Sequence, residues 1–237
     1  MADLVDAMTR LKARLSRLRF GPPVAYTYRP LDYACPVARA YFERFGRGPK
    51  EILFLGMNPG PFGMGQTGVP FGEVASVKGF LGLSGDIKPP KSTHEKRPVD
   101  GWDCKRSEVS GQRLWGAIAK KHGTADRFFE RACVLNYCPL LFLGDTGANI
   151  ALDKIDKHER KTLEAICDRS LAECIDILKP RRLVGVGGYA AKRLAVVTER
   201  DDVVMMPHPS PASPTANRGW DAAARKALTA AGLAGLI

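Results

Sequence analysis

Short apolar runs alternate with longer stretches in which apolar residues return every third or fourth position, and this alternation sets the expected architecture. Runs at 52–55, 133–135, 183–186 and 203–206 are too short for helices and read as strands. Helical periodicity falls between and beyond them, near 72–81, 111–121, 155–178, 189–197 and 220–231. In the longest of these, Leu163, Ile166, Ser170, Cys174 and Ile177 follow the helical period. A first, amphipathic helix is expected at about 3–19, striped by Leu4, Met8, Leu11, Leu15 and Leu18. Strand–helix alternation implies right-handed crossovers and a parallel sheet sandwiched by helices. No internal repeat and no linker divides the chain, so residues 1–237 read as one domain. The long irregular stretch "SGDIKPPKSTHEKRPVDGWDCKRSEVSG", residues 84–111, reads as a basic, solvated surface loop, with phosphate contact by Lys88, Lys91, Lys96, Arg97 or Arg106 as its less ordinary use.

Composition narrows the class. The 237 residues are 45% hydrophobic and include no apolar run long enough to cross a bilayer, which predicts a soluble protein with a full core. Thirty-six Lys and Arg against 25 Asp and Glu give a net charge of +11, which favours a polyanionic partner such as nucleic acid or an acidic membrane surface. The six cysteines include no C-x-x-C pair and no His at zinc-finger spacing, so reduced thiols and no structural metal are expected. Cys133, Cys167 and Cys174 fall where buried packing is the ordinary reading. The Arg-rich N-terminus has the amphipathicity of a transit peptide, but Asp3, Asp6 and the lack of a cleavage signal argue against one.

In an open parallel sheet, ligands bind beyond the carboxyl ends of the strands. The first strand is followed by Gly56, Met57, Asn58, Pro59 and Gly60, and the second by Asn136 in "LNYCPLLFL". The third is followed by Gly187 and Gly188, and the fourth by His208 in "PHPSPASPTANRGW". Each has a bland reading alone: Asn is a common turn residue, a lone His is usually structural, and a G-x-G-G is usually a tight turn. Together they read as a site that holds something polar without an ordinary carboxylate acid or base.

The motifs "GMNPGPFGMGQTGVPFGEV", "LNYCPLLFL" and "HPSPASPTANRGW" resemble those of the single-strand-selective monofunctional uracil-DNA glycosylases, and the likeness runs over nearly the whole chain. The resemblance implies an α/β fold, a three-layer α/β/α sandwich around a short four-stranded parallel sheet. It implies a metal-free and cofactor-free monomer that excises uracil, and 5-hydroxymethyluracil, from single- and double-stranded DNA. It assigns Asn58 to water positioning and His208 to stabilising the departing base. Asn136 corresponds to the base reader, Phe71 to the stacking ring, and Met57 and Gly60 to the pocket wall. Gly60 replaces a bulky aromatic of uracil-specific relatives and is expected to leave space beside C5 of the base. Gly187, Gly188, Ser210, Pro211, Ala212, Ser213, Pro214, Asn217 and Arg218 correspond to residues that meet the DNA, and Ala212 stands where vertebrate members carry a wedging Arg. Preference for another deaminated base is the alternative within the superfamily. A non-catalytic binder is disfavoured by the presence of both Asn58 and His208.

Overall fold

The structure is a computed structural model that describes residues 3–237, with the side chains of 214 and 215 outside the description. Its strands are β1 (Tyr26–Tyr28), β2 (Ile52–Gly56), β3 (Ala132–Asn136), β4 (Leu141–Leu143), β5 (Arg182–Val186) and β6 (Val204–Met206). Its helices are α1 (Leu4–Leu15), α2 (Pro30–Tyr33), α3 (Cys35–Phe45), α4 (Met64–Thr67), α5 (Val74–Gly79), α6 (Val109–His122), α7 (Ala125–Phe129), α8 (Lys157–Leu178), α9 (Gly188–Thr198), α10 (Pro214–Asn217) and α11 (Trp220–Ala230).

β3, β2, β5 and β6 form, in that order, a four-stranded parallel sheet. Because side chains alternate along a strand, the two faces build two cores. Ile52, Phe54, Val134 and Val184 face α3, α5, α6, α7 and α11 through Tyr41, Val77, Trp115, Phe128 and Trp220. Leu53, Leu55, Cys133, Leu135 and Leu183 face α1, α8 and α9 through Leu11, Leu163, Cys167 and Leu194. Both faces are covered, so β2 is buried at all five positions and its sequence shows a continuous apolar run rather than an alternation. The expected α/β/α sandwich around a four-stranded parallel sheet is what the chain forms. No described helix is long and apolar enough to cross a membrane.

Several elements differ from the sequence reading. α1 stops at Leu15, not near residue 19, because the Arg29 guanidinium donates to the carbonyls of Leu15 (2.6 Å) and Leu18 (2.9 Å) and so satisfies chain-end acceptors that a longer helix would need. The antiparallel pair β1–β4 is new, with Tyr26 opposite Leu143, and three residues per strand are too few to show a period. The described cysteines are free; Cys133 and Cys167 are fully buried, Cys174 partly so, and burial pushes the Cys133 and Cys174 thiols up to about 12.

The basic stretch 84–111 is not simple solvated decoration. Tyr28 Oη donates to the Arg97 carbonyl at 2.7 Å and accepts from the His94 amide at 2.6 Å. Gln66, buried in α4, donates to the carbonyls of Pro61 and Pro98 and accepts from the amides of Asp100 and Gly101, all within 2.9 Å. Since Pro61 belongs to the loop that follows β2, one carboxamide fastens the basic stretch to that loop. Arg106 and Arg97 then stack over the Phe62 ring, at 3.9 and 5.3 Å from its centroid.

Candidate active site

The four strand ends meet at one rim. Gly56 lies opposite Asn136 in the β2–β3 register, and the Gly187 amide after β5 donates to the Met206 carbonyl at the end of β6. Asn58, Asn136, Gly187 and His208 are therefore brought to the same edge of the sheet. A Cβ on Gly56 would overlap Asn136 Oδ1 and lie 2.7 Å from the Phe71 ring. The carboxamide and the phenyl ring thus converge on the strand end, and only glycine permits that approach.

Phe71 reaches this place through an unusual backbone, with φ of 52°, in the left-handed region that bulky side chains avoid. Its carbonyl accepts from Trp115 Nε1 at 3.0 Å and from the Glu73 amide at 2.8 Å, which holds the strained turn. Strain of this kind costs about 1–3 kcal/mol and persists only where the surroundings fix it. Trp115, on α6, was invisible as a site residue in the sequence because it acts through a main-chain oxygen.

The polar atoms of the rim are unevenly satisfied. Asn58 Nδ2 and Asn136 Oδ1 are buried and make no hydrogen bond within the protein, whereas Asn136 Nδ2 lies 3.2 Å from Met64 Sδ. Buried polar atoms without partners are few in native proteins and each calls for an explanation; at a strand-end pocket a bound ligand or water supplies one. Met57 is half-buried against the Leu53 side of the core.

His208 is held from both sides. Trp220 Nε1 donates to the Pro207 carbonyl and Arg113 Nη1 to the Pro209 carbonyl, both at 2.8 Å. The Ser210 amide lies 3.1 Å from His208 Nδ1, so Nδ1 accepts and the proton of a neutral ring is assigned to Nε2. Burial lowers the imidazole to about 4. It is neutral at physiological pH and presents Nε2–H as a donor. An unfolded imidazole takes up a proton near 6.5 and the folded one only near 4, so the unfolded state binds more protons between these values. His208 therefore removes stability as pH falls from about 6.5 towards 4. Imidazole nitrogen shifts followed by NMR should show Nδ1 unprotonated from pH 8 down to 5, and His208→Gln should flatten the acid limb of the stability–pH curve. Protonation of this ring near pH 6.5 would contradict the assignment.

The loop after His208 is built from local turns. Ser210 Oγ accepts from the Ala212 amide at 3.2 Å, the Ser213 amide donates to the Ser210 carbonyl at 2.9 Å, and Asn217 Nδ2 donates to the Pro211 carbonyl at 2.7 Å. Asn217 thus closes the loop with its own amide. Pro211, Ala212 and Arg218 are exposed at its surface, and Gly188 is exposed at the start of α9. The side chain of Pro214 lies outside the described residues.

One group was missed entirely. The Glu108 carboxyl lies against Gly60 and Gly63, where a Cβ on either residue would overlap its oxygens. The space expected beside Gly60 is therefore not open: a carboxyl occupies it. The backbone of Gly60 is not left-handed, so its glycine is explained by this close approach rather than by the turn. In sequence Glu108 is one more residue of the stretch 84–111 that reads as a solvated loop. A cleft of about 990 Å³ opens elsewhere, between α1, α3 and α8, and has none of the strand-end residues in its lining.

A parallel α/β/α sandwich whose strand ends bring together two carboxamides, a neutral imidazole and a phenyl ring has the chemistry to hold a flat, polar heterocycle. The comparisons with known proteins make that reading specific. A family model described as "Uracil DNA glycosylase superfamily" matches residues 44–230. Over 232 residues the chain is 47% identical to the single-strand selective monofunctional uracil-DNA glycosylase of Rattus norvegicus, a match spanning 96% of this chain and 84% of that one. It is 44% identical to the Bos taurus protein of the same description, over 96% and 85% of the two chains. The crystal structure of wild-type Pedobacter heparinus SMUG2 superposes with a TM-score of 0.70 over 97% of both chains at 18% identity, a likeness of fold. The chain belongs to the uracil-DNA glycosylase superfamily, and within it to the single-strand-selective monofunctional uracil-DNA glycosylases.

Proposed function

We propose that the chain takes a uracil nucleotide out of the DNA stack, hydrolyses its N-glycosidic bond and leaves an abasic site, acting as a single-domain monomer on single- and double-stranded DNA. We extend this range to 5-hydroxymethyluracil. The observation that carries the reading is the pair of buried, unpaired amide atoms, Asn58 Nδ2 and Asn136 Oδ1, beside a neutral imidazole whose Nδ1 is already engaged.

Each group then has a task. Phe71 stacks on the flipped base. Asn136 accepts from uracil N3–H through Oδ1 and donates to O4 through Nδ2; cytosine reverses both polarities and would leave buried groups unpaired. As the bond from C1′ to N1 breaks, its electron pair goes to the base, and positive charge spreads over the sugar as in other glycoside cleavages. His208 Nε2–H donates to O2, where negative charge collects, and a preformed neutral donor does so without reorganisation. Asn58 orients the water that adds to C1′; its carboxamide does not titrate, so the water loses its proton only once bonding to the electrophilic carbon is advanced. Met57 and Gly60 form the pocket wall. Gly187, Gly188, Ser210, Pro211, Ala212, Ser213, Pro214, Asn217 and Arg218 form the surface along the strand, and the +11 charge supports binding a polyanion.

The test is incubation with a uracil-containing oligonucleotide, single-stranded and in a duplex, in EDTA. Alkali-labile abasic sites are expected, and borohydride should trap no covalent adduct. A trapped species would reveal an amine nucleophile and end the monofunctional reading; no abasic sites on either substrate would end the glycosylase reading.

A further inference from the structure

The reaction above gives Glu108 no part, yet the structure makes room for its carboxyl at the pocket wall. Glu108 is the N-cap residue of α6, but its side chain forms no capping hydrogen bond to the helix. It turns instead onto the loop after β2, where Gly60 and Gly63 both lack the side chain that would displace it. Among the described residues no salt bridge and no hydrogen-bond donor engages its carboxyl. Its acidic neighbour differs: Glu73 accepts from the Ser76 amide and hydroxyl at 2.8 and 2.6 Å and from Ser107 Oγ at 3.1 Å. Of two neighbouring acids, one is saturated and the other is left with free acceptor capacity.

The orientation of the base follows from Asn136. Its Nδ2 lies on the Met64 side, so O4 of a base read by that amide points the same way. C5 adjoins C4 in the ring, and the C5 edge therefore looks towards the Gly60–Met64 turn, where the Glu108 carboxyl sits.

We propose that Glu108 is a specificity-determining residue that reads the C5 edge of the base, accepting a hydrogen bond from a hydroxyl-bearing substituent there and excluding a methyl group. This rests on the uracil-excision reading given above. A 5-hydroxymethyl group supplies the donor that the carboxyl lacks. A 5-methyl group would cover the same oxygens without bonding them, and a polar group buried without a partner costs more than a hydrogen bond returns. Uracil itself, with hydrogen at C5, leaves the carboxyl accessible to water. Burial and the nearby Glu73 carboxylate push the Glu108 carboxyl up to about 7, as expected of an acid with no cation bonded to it.

The charged groups around it are these. Glu73 caps α5, Arg106 and Arg97 stack over the Phe62 ring between the two glycines without bonding the carboxyl, Arg113 of α6 is engaged with the Pro209 carbonyl, and across Phe71 the His208 ring is neutral.

The test measures single-turnover excision of uracil, 5-hydroxymethyluracil and thymine from matched oligonucleotides by wild type, Glu108→Ala, Glu108→Gln and Gly60→Ala. Wild-type activity on uracil tests the function; the ratio of the substrates tests the inference. Glu108→Ala should lower the 5-hydroxymethyluracil-to-uracil ratio about tenfold, the worth of one net hydrogen bond, and raise thymine excision. Glu108→Gln, which keeps an acceptor oxygen, should hold the ratio within about threefold. Gly60→Ala, whose Cβ displaces the carboxyl, should lower the ratio as Glu108→Ala does. A wild type that excises uracil but not 5-hydroxymethyluracil overturns the proposal while leaving the function standing. Equal losses on both substrates in Glu108→Ala, or an unchanged ratio in Glu108→Ala, overturn it too; should that variant fail to fold, the Gly60→Ala ratio decides in its place.

Discussion

Asn58→Ala and His208→Ala should each slow glycosidic cleavage by about 10²–10³, the usual cost of losing one preorganised group at a developing charge. Binding to uracil-containing DNA should stay nearly intact, because neither residue is asked to hold the phosphates. The structure separates what the two losses mean. Asn58 Nδ2 has no partner inside the protein, so truncation leaves nothing unpaired and melting should be unchanged. His208 Nδ1 accepts from Ser210, and His208→Ala orphans that amide; His208→Gln keeps a donor and an acceptor and is the cleaner probe. Single-turnover cleavage surviving either alanine change within a few-fold would falsify the role given to that residue.

Asn136→Ala should reduce kcat/KM on uracil by about 10², through loss of two hydrogen bonds to the base at about 1–1.5 kcal/mol each. Unlike the catalytic pair, this change should also erode discrimination, because the polarity that rejects cytosine resides in the same amide. Stability should hold or rise slightly, since Asn136 Oδ1 bonds to nothing in the protein and Nδ2 only to a thioether. Measuring uracil and cytosine substrates side by side gives the answer; a proportional loss on both would mean that Asn136 shapes the pocket without reading the base.

The residues at the strand ends were legible before the fold because parallel strands covered on both faces leave unbroken apolar runs, and Ile52–Gly56 and Ala132–Asn136 end where those runs end. The α/β/α layering followed from the same pattern. What could not be read were the contacts made by main-chain atoms across long separations. Trp115 Nε1 on the Phe71 carbonyl spans 44 residues, and Arg113 on the Pro209 carbonyl spans 96. No side-chain pattern encodes an acceptor that every residue carries. Glu108 escaped for another reason: it lies inside a stretch that reads as a solvated loop, and only the pair of glycines 45 or more residues earlier in the chain shows where its carboxyl turns. The basic stretch was misjudged because it has no apolar period and is rich in polar, charged, Gly and Pro residues, while its anchoring depends on two residues outside it, Tyr28 and Gln66.

That anchoring bears on how the chain can be altered. With both faces of the Gln66 amide engaged, residues 98–101 and the loop after β2 share a single clasp. The stretch has the look of a spacer into which a tag or an exchanged segment could be placed at no cost. It is instead masonry: a graft at Pro98–Gly101, in the middle of the stretch, would loosen the loop after β2, so an exchanged segment has to keep the residues that meet Gln66.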